Sequence, residues 1–318
     1  MERNLIRACA AGCIMMLQSA LPGINAQPAS AQANDSLTAQ VATVASPDAT
    51  ASATYADSIA SAGKSSLHSF YAGTGYGNNM LYLGTTMSQD NGFGYASASY
   101  GFRDKLYLTA TGYTVGNFTP FTAFYSLGLS FIHAFNSWFD ISTGLSHYNV
   151  AASLRDTLFS NFTYADATLG LDWRILYSKV SVGGLFAGGS QFYLQTRHSR
   201  YFETPSFARD KAFFSFDPYV NILIGNMVTI ETTGGVTETS VSPGYRPWRQ
   251  YSQSTTPGTY YNETFGLMEI DFGLPVAFSY DFFTLEIEPC YVIPLYSDAG
   301  SSGTRGFLLM ASIFFRIL

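Results

Sequence analysis

Glu269 and Asp271, and then Glu286 and Glu288, sit two residues apart inside otherwise apolar stretches. In an extended chain residues two apart share a face, so each pair points the same way while its neighbours point the other. Opposite the first pair stand Gly266, Met268, Ile270, Phe272, Leu274, Val276, Phe278 and Tyr280. Opposite the second stand Phe283, Leu285, Ile287, Pro289, Tyr291, Ile293 and Leu295. Asp217 and Glu231 occupy the polar phase of the two preceding segments, and Asp166, Asp172 and Arg174 that of 163–177, with Ala165, Ala167, Leu169, Leu171, Trp173, Ile175 and Tyr177 opposite. Such a wall has two chemical readings. Facing water in a narrow passage, it concentrates cations; enclosed, it forms a network that pairs with cations such as Arg174 and Arg316, some carboxylates staying neutral through crowding.

Two longer stretches carry different chemistry. "RHSRYFETPSFARDK" (197–211) and "GYRPWRQYSQSTTPGTYY" (244–261) set Arg200, Arg209, Arg246 and Arg249 among Tyr201 and Trp248. Guanidinium groups beside aromatic faces can hold a sugar or an anionic headgroup, or the loops can pack on one another at a membrane rim. No residue pattern points to catalysis, since His147 is followed by Asn149, His133 by Phe135, and His198 adjoins Ser199, which points away from it in a strand. "GTGYG" (73–77) lacks the spacing of a nucleotide loop, and neither metal-ligand spacing nor a cofactor motif is found. A net charge of −6 and the lack of a folded basic module speak against nucleic acid.

Elements that could present these residues follow from alternation and turn signals. Twelve segments are expected: 79–88, 93–102, 105–115, 121–135, 138–149, 163–177, 179–195, 213–224, 227–240, 264–280, 282–296 and 306–317. Tight connections ("FRDK", "NSW", "YSK", "GN", "SYD") alternate with others, of which 150–162, 196–212, 241–263 and 297–305 are long. Short turns on one side and longer loops on the other describe a transmembrane β-barrel. The final segment fits, with Phe307, Leu309, Ala311, Ile313, Phe315 and Ile317 on a wholly apolar face. The expected fold is all-β: one antiparallel transmembrane β-barrel of about twelve strands, within a range of about ten to fourteen, with a lumen of roughly 10 Å.

Composition agrees. Apolar residues make up 47% and charged residues 12%, half the share expected if the surface faced water throughout. After the first 25 residues, no apolar run is long enough for a spanning helix. Residues 1–26 read as an export signal, with Arg3 and Arg7 before an apolar stretch and cleavage expected after Ala26; a lipid-modified Cys13 is the alternative. Cys9 and Cys13 leave with the signal, so Cys290 has no partner for an internal disulfide. Residues 27–66 are an Ala/Ser/Thr/Gln tract expected to be a flexible periplasmic leader or a plug, and 67–318 the barrel.

"FLLMASIFFRIL", "SFYAGTGYGNNMLYLG", "NSWFDISTGLSHY" and "FGLMEIDFGLPVAF" together resemble bacterial outer-membrane β-barrels, and in particular uncharacterised barrels of Bacteroidota. The resemblance implies a Gram-negative outer-membrane location, contact with membrane lipids and the outer-membrane assembly machinery, and porin-like passage of small solutes. It brings no catalytic residues. Barrels of this kind commonly finish on an aromatic residue, whereas this sequence finishes on Leu318. Outer-membrane phospholipases place a His two residues before a Ser, a spacing that His147 and Asn149 do not supply. The expectations are a porin-like channel with a cation-leaning acidic lumen, a closed barrel whose long loops bind a partner protein or surface glycan, and a lipid-modifying enzyme.

Overall fold

The computed structural model describes residues 67–155, 157–187, 189–232, 237–240, 259–295 and 306–317. The expected signal and leader lie outside these residues, as do Arg246, Trp248 and Arg249. Twelve strands form one closed antiparallel barrel. They are β1 His68–Gly77, β2 Phe93–Phe102, β3 Leu106–Val115, β4 Phe124–Asn136, β5 Phe139–Val150, β6 Phe162–Asp172 and β7 Tyr177–Phe186. β8 is Ser190–Ser199 continued by Phe202–Glu203, β9 is Ala212–Phe216 resumed as Tyr219–Thr232, and β10 is Thr259–Gly273 resumed as Val276–Tyr280. β11 Phe283–Pro294 and β12 Gly306–Arg316 complete the set. β12 pairs with β1 from Tyr71↔Arg316 to Gly77↔Met310, which closes the sheet.

The interruptions in β9 and β10 have a common cause. Pro218 and Pro275 lack the N–H that a ladder needs. The register nevertheless runs through both, with Phe216 opposite Val276 and Tyr219 opposite Gly273. Asp217 N donates to Pro275 O at 3.2 Å and Leu274 N to Pro289 O at 3.0 Å, so neighbouring donors stay paired.

The expected strand number is correct, but three segment boundaries are not. Residues 79–88 are no barrel strand: Leu81–Tyr82 and Thr85–Thr86 form a small hairpin turning at Leu83 and Gly84, both at positive φ. The first wall strand is His68–Gly77, whose inward Gly73, Gly75 and Gly77 hide its alternation from a hydrophobicity pattern. Residues 179–195 contain two strands joined through 187–189, whereas 213–240 contain one long strand and a short return, Thr237–Ser240. The "GN" at 225–226 is therefore not a turn. One split and one merger cancel in the count, but they reverse which end carries the connection between β8 and β9.

The wall faces two solvents. Leu108, Leu127, Leu129, Leu145, Leu285, Ile287, Phe307 and Leu309 are exposed on the outer face, a belt untenable in water but natural against lipid. Exposed Phe135, Trp138, Trp173 and Phe282 lie at the tight-turn end, where aromatic side chains suit a membrane–water boundary. Inside, aromatic rings lie across glycines of adjacent strands. A Cβ on Gly75 would meet the Tyr95 ring at 2.6 Å, one on Gly225 the Tyr193 ring at 2.6 Å, and one on Gly273 would collide with the Tyr219 ring.

The other end is filled from within. Met80, Tyr82, Leu83 and Met87 of the hairpin join Phe124, Tyr148, Leu158, Phe159 and Phe162 in a buried apolar cluster. The hairpin is tied to β12 by Asn78, whose N donates to Leu309 O at 3.1 Å and whose Oδ1 accepts from Leu309 N at 2.9 Å. Gln89 Nε2 donates to Thr157 O, joining the hairpin to the β5–β6 connection.

Ring-on-glycine packing makes a contrast testable. Gly273→Ala must displace the Tyr219 ring and should lower barrel stability by about 1–3 kcal/mol, whereas Gly112→Ala, with no atom within 4 Å of the new methyl, should not. Urea unfolding in lipid vesicles measures both; equal effects would contradict this packing.

Candidate functional site: the acidic interior wall

Three adjacent strands build the wall. Asp217 comes from the break in β9, Glu269 and Asp271 from β10, and Glu286 and Glu288 from β11; all are buried and inward-facing. Asn221 lies beside Asp271 in register, Ala277 beside Glu286, and Glu288 beside Met310 of β12. Glu231 pairs in register with Tyr260, its side chain lying outside the described residues.

β10 reaches this arrangement through a bulge. Leu223 faces Glu269 while Ile224 faces Leu267, leaving Met268 as an extra residue. Met268 and Glu269 consequently both turn inward, 0% and 3% exposed, and Met268 joins the apolar cluster above the acids. Strict alternation places Gly266 and Met268 on the lipid face, but Phe265 and Leu267 are exposed there instead. One inserted residue reverses the phase of everything beyond it.

Among the described residues, the cation paired with the wall is Arg197. Its Nη2 lies 3.1 Å from Asp217 Oδ2, and its guanidinium carbon sits 3.8 Å from the centroid of the Tyr219 ring. Tyr219 donates its hydroxyl to Glu288 Oε1 at 2.8 Å, and Asn221 Nδ2 donates to Asp271 Oδ2 at 2.8 Å. Both Glu286 oxygens are buried without a hydrogen-bond partner among the described residues.

Other expected site residues lie elsewhere. Asp166, on β6, belongs to the facing side of the lumen and is half-buried. Asp172 Oδ1 accepts from Arg174 N at 2.6 Å, so this carboxylate shapes the tight turn at the foot of β6, where Arg174 is exposed at positive φ. Arg316 ends β12 beside the β2–β3 turn. Burial raises the Asp104 carboxyl there above the ordinary carboxylate range, and Arg316 works against that rise. Neither Arg174 nor Arg316 forms an ion pair with the wall; the two ion pairs among the described residues are Arg197–Asp217 and the exposed Lys211–Asp281.

The sequence places Arg200, Tyr201 and Arg209 in one long outer loop and Arg246, Trp248 and Arg249 in another on the same side. The β8–β9 connection lies instead at the tight-turn end, shown by contact of Lys211 with Asp281 of the β10–β11 turn and of Arg200 with the carbonyl of Arg174. Splitting 179–195 is what moves it.

Arg197, Tyr219, Asn221 and Asp140 were missed as interior residues. Asp140 accepts the Tyr177 hydroxyl at 2.7 Å. Once the "AGG" turn at 187–189 is recognised, Tyr193, Gln195, Arg197 and Ser199 fall on one face and Phe192, Leu194 and Thr196 on the other. Sequence reading also misses a cross-strand contact on the outer face, Ser178 Oγ to His198 Nδ1 at 2.9 Å, with Trp173 Nε1 donating to the same oxygen at 3.2 Å. Hydrolytic catalysis needs the base oriented by a third group and an oxyanion site besides such a contact; neither is found among the hydrogen bonds of the described residues.

A pocket opens between the hairpin and the wall. Met80, Leu81 and Phe93 line one side and Cys290, Leu308 and Met310 the other, with Glu288 among them.

No family model matches the chain, and no curated protein matches it. Similar solved structures include the KdgM porin (10% identity, TM-score 0.42, covering 79% of this chain and 99% of that one). The NanC porin gives 8% identity, TM-score 0.42, and 78% and 100% coverage. LpxR from Salmonella typhimurium gives 9%, 0.43, 77% and 99%. At these identities the likeness concerns the barrel fold alone.

The buried ion pair gives the wall a stability signature. Arg197→Met takes the paired guanidinium from the Asp217 carboxylate and should cost about 3–5 kcal/mol, and adding Asp217→Asn should restore most of it. A double-mutant cycle from urea unfolding checks this; additive costs would contradict direct coupling.

Proposed function

We propose that the protein is an outer-membrane porin-like channel for small hydrophilic solutes, with a path beside the acidic wall that favours cations. The observation carrying this reading is the gathering, among the described residues, of Asp217, Glu269, Asp271, Glu286 and Glu288 on one buried interior wall beside Arg197. Holding charge away from bulk water costs stability that an apolar interior would not lose. A function for the charge is then required, and in a narrow, low-dielectric passage that function is ion enrichment. Ser97, Asp166, Ser181 and Gln195 on the strands beyond the wall are half-exposed, which provides a polar, hydrated side for the path. The hairpin narrows the far end.

Placement in the Gram-negative outer membrane, export by residues 1–26, a leader over 27–66 and insertion by the assembly machinery complete the proposal. A closed barrel is the competing reading, and the apolar cluster across the mouth is the observation favouring it. Its ligands would be a partner protein or glycan, met by the connection carrying Arg246, Trp248 and Arg249.

Reversal potentials across planar bilayers under a salt gradient separate the readings. The channel should pass cations over anions at a ratio of about 3 or more, falling toward 1 when Glu269, Asp271, Glu286 and Glu288 become Gln or Asn. No conductance in the parent protein, or selectivity unmoved by neutralisation, would overturn the channel mechanism.

A further inference from the structure

We infer that the pocket beneath the hairpin binds a small organic cation with an apolar body, its ammonium or guanidinium group directed at Glu288. The inference goes beyond conduction, since such binding can occur whether or not the ligand crosses the barrel.

The lining specifies the ligand's two halves. Met80, Leu81, Phe93 and Leu308 offer apolar contact, and Glu288, 5% exposed, supplies an acidic group at the pocket surface. Glu286 lies behind the lining, two residues along the same face of β11; it is 1% exposed and finds no hydrogen-bond partner for either oxygen among the described residues. A buried carboxylate in that condition is costly unless a cation or proton compensates it. The wall already demonstrates a way to hold a cation, because Arg197 lies over the Tyr219 ring while its guanidinium meets Asp217. Phe93 and Glu288 offer the same pair of groups, aromatic face and carboxylate, to an incoming molecule.

A metal ion is a poorer fit. Hard cations take six or more oxygen ligands at short range, and no three His, Cys, Asp or Glu side chains among the described residues are placed to hold one. The apolar lining would add nothing to a hydrated ion, whereas it contributes directly to binding an organic one.

Benzylamine is a suitable probe, with benzyl alcohol as its neutral counterpart and phenylacetate as the anionic one. Binding to the full-length protein in detergent micelles is read by ligand-observed NMR. Benzylamine should bind saturably and at least about tenfold more tightly than either control. Glu288→Gln should remove most of that preference, and Leu308→Trp, which fills the apolar side, should weaken binding about tenfold. The unmodified protein gives a second measurement independent of how variants fold. Cys290 lines the pocket, so benzylamine should slow its alkylation by N-ethylmaleimide, with Cys290→Ala reporting the background. No saturable benzylamine binding, equal binding of the neutral analogue, or unprotected Cys290 would overturn the inference. Conductance is measured separately: an ion-selective channel without benzylamine binding removes this site alone, and binding without conductance removes the channel alone.

Discussion

A strand bordered by hydrocarbon has no water to satisfy its backbone, so each edge must find another strand. The pairing of β1 with β12 meets that demand for the whole sheet. Closure also fixes phase. Once Tyr71 faces Arg316, every ladder around the ring inherits an inside and an outside, and slipping by one residue would turn carboxylates toward lipid. The substitutions that break local rules sit where the ladder can absorb them. Pro218 and Pro275 interrupt neighbouring strands at the same depth, and the bulge at Met268 takes up one extra residue while the ladder continues on both sides of it.

The interior follows from the same geometry. Twelve strands enclose more space than small side chains can fill, yet too little for a broad aqueous channel. Tyrosine and phenylalanine rings laid over glycines thicken part of the wall, and the hairpin brings Met80, Leu83 and Met87 into the mouth. What remains is polar: serine and threonine around most of the circumference, and carboxylates concentrated on β9–β11. Arg197 neutralises one end of that cluster while the tyrosine it stacks on reaches Glu288, so charge pairing and ring packing depend on each other.

Much of this was legible in the sequence. The fold class, the lipid face of β11 and β12, and the inward orientation of Glu269, Asp271, Glu286 and Glu288 all follow from alternation, because an apolar outer face is imposed by lipid residue by residue; the strand number agrees because one missed turn and one false turn offset each other. Legibility failed where something other than hydrophobicity sets the structure. β1 alternates glycine with larger residues, a pattern whose logic lies in rings contributed by β2 and β12. The Met268 bulge depends on the partner strand. The Ala–Gly–Gly at 187–189 is a weaker turn signal than its consequence, which is the transfer of Arg200, Tyr201 and Arg209 to the tight-turn end. Arg197 was lost with that turn, and among the described residues it is the cation paired with the wall.

Closure can be measured directly at the seam. Thr74 of β1 lies opposite Ile313 of β12 in the register that joins the two ends of the sheet. Cysteines at Thr74 and Ile313, introduced together in a Cys290→Ala background and oxidised in outer-membrane fractions, should form an intramolecular disulfide in high yield. Cysteines at Thr74 and Phe314, one residue out of register and on opposite faces, should not. Cross-linking confined to the first pair is the result this account predicts. Failure of that pair while the barrel remains folded, or equal cross-linking of both, would contradict it.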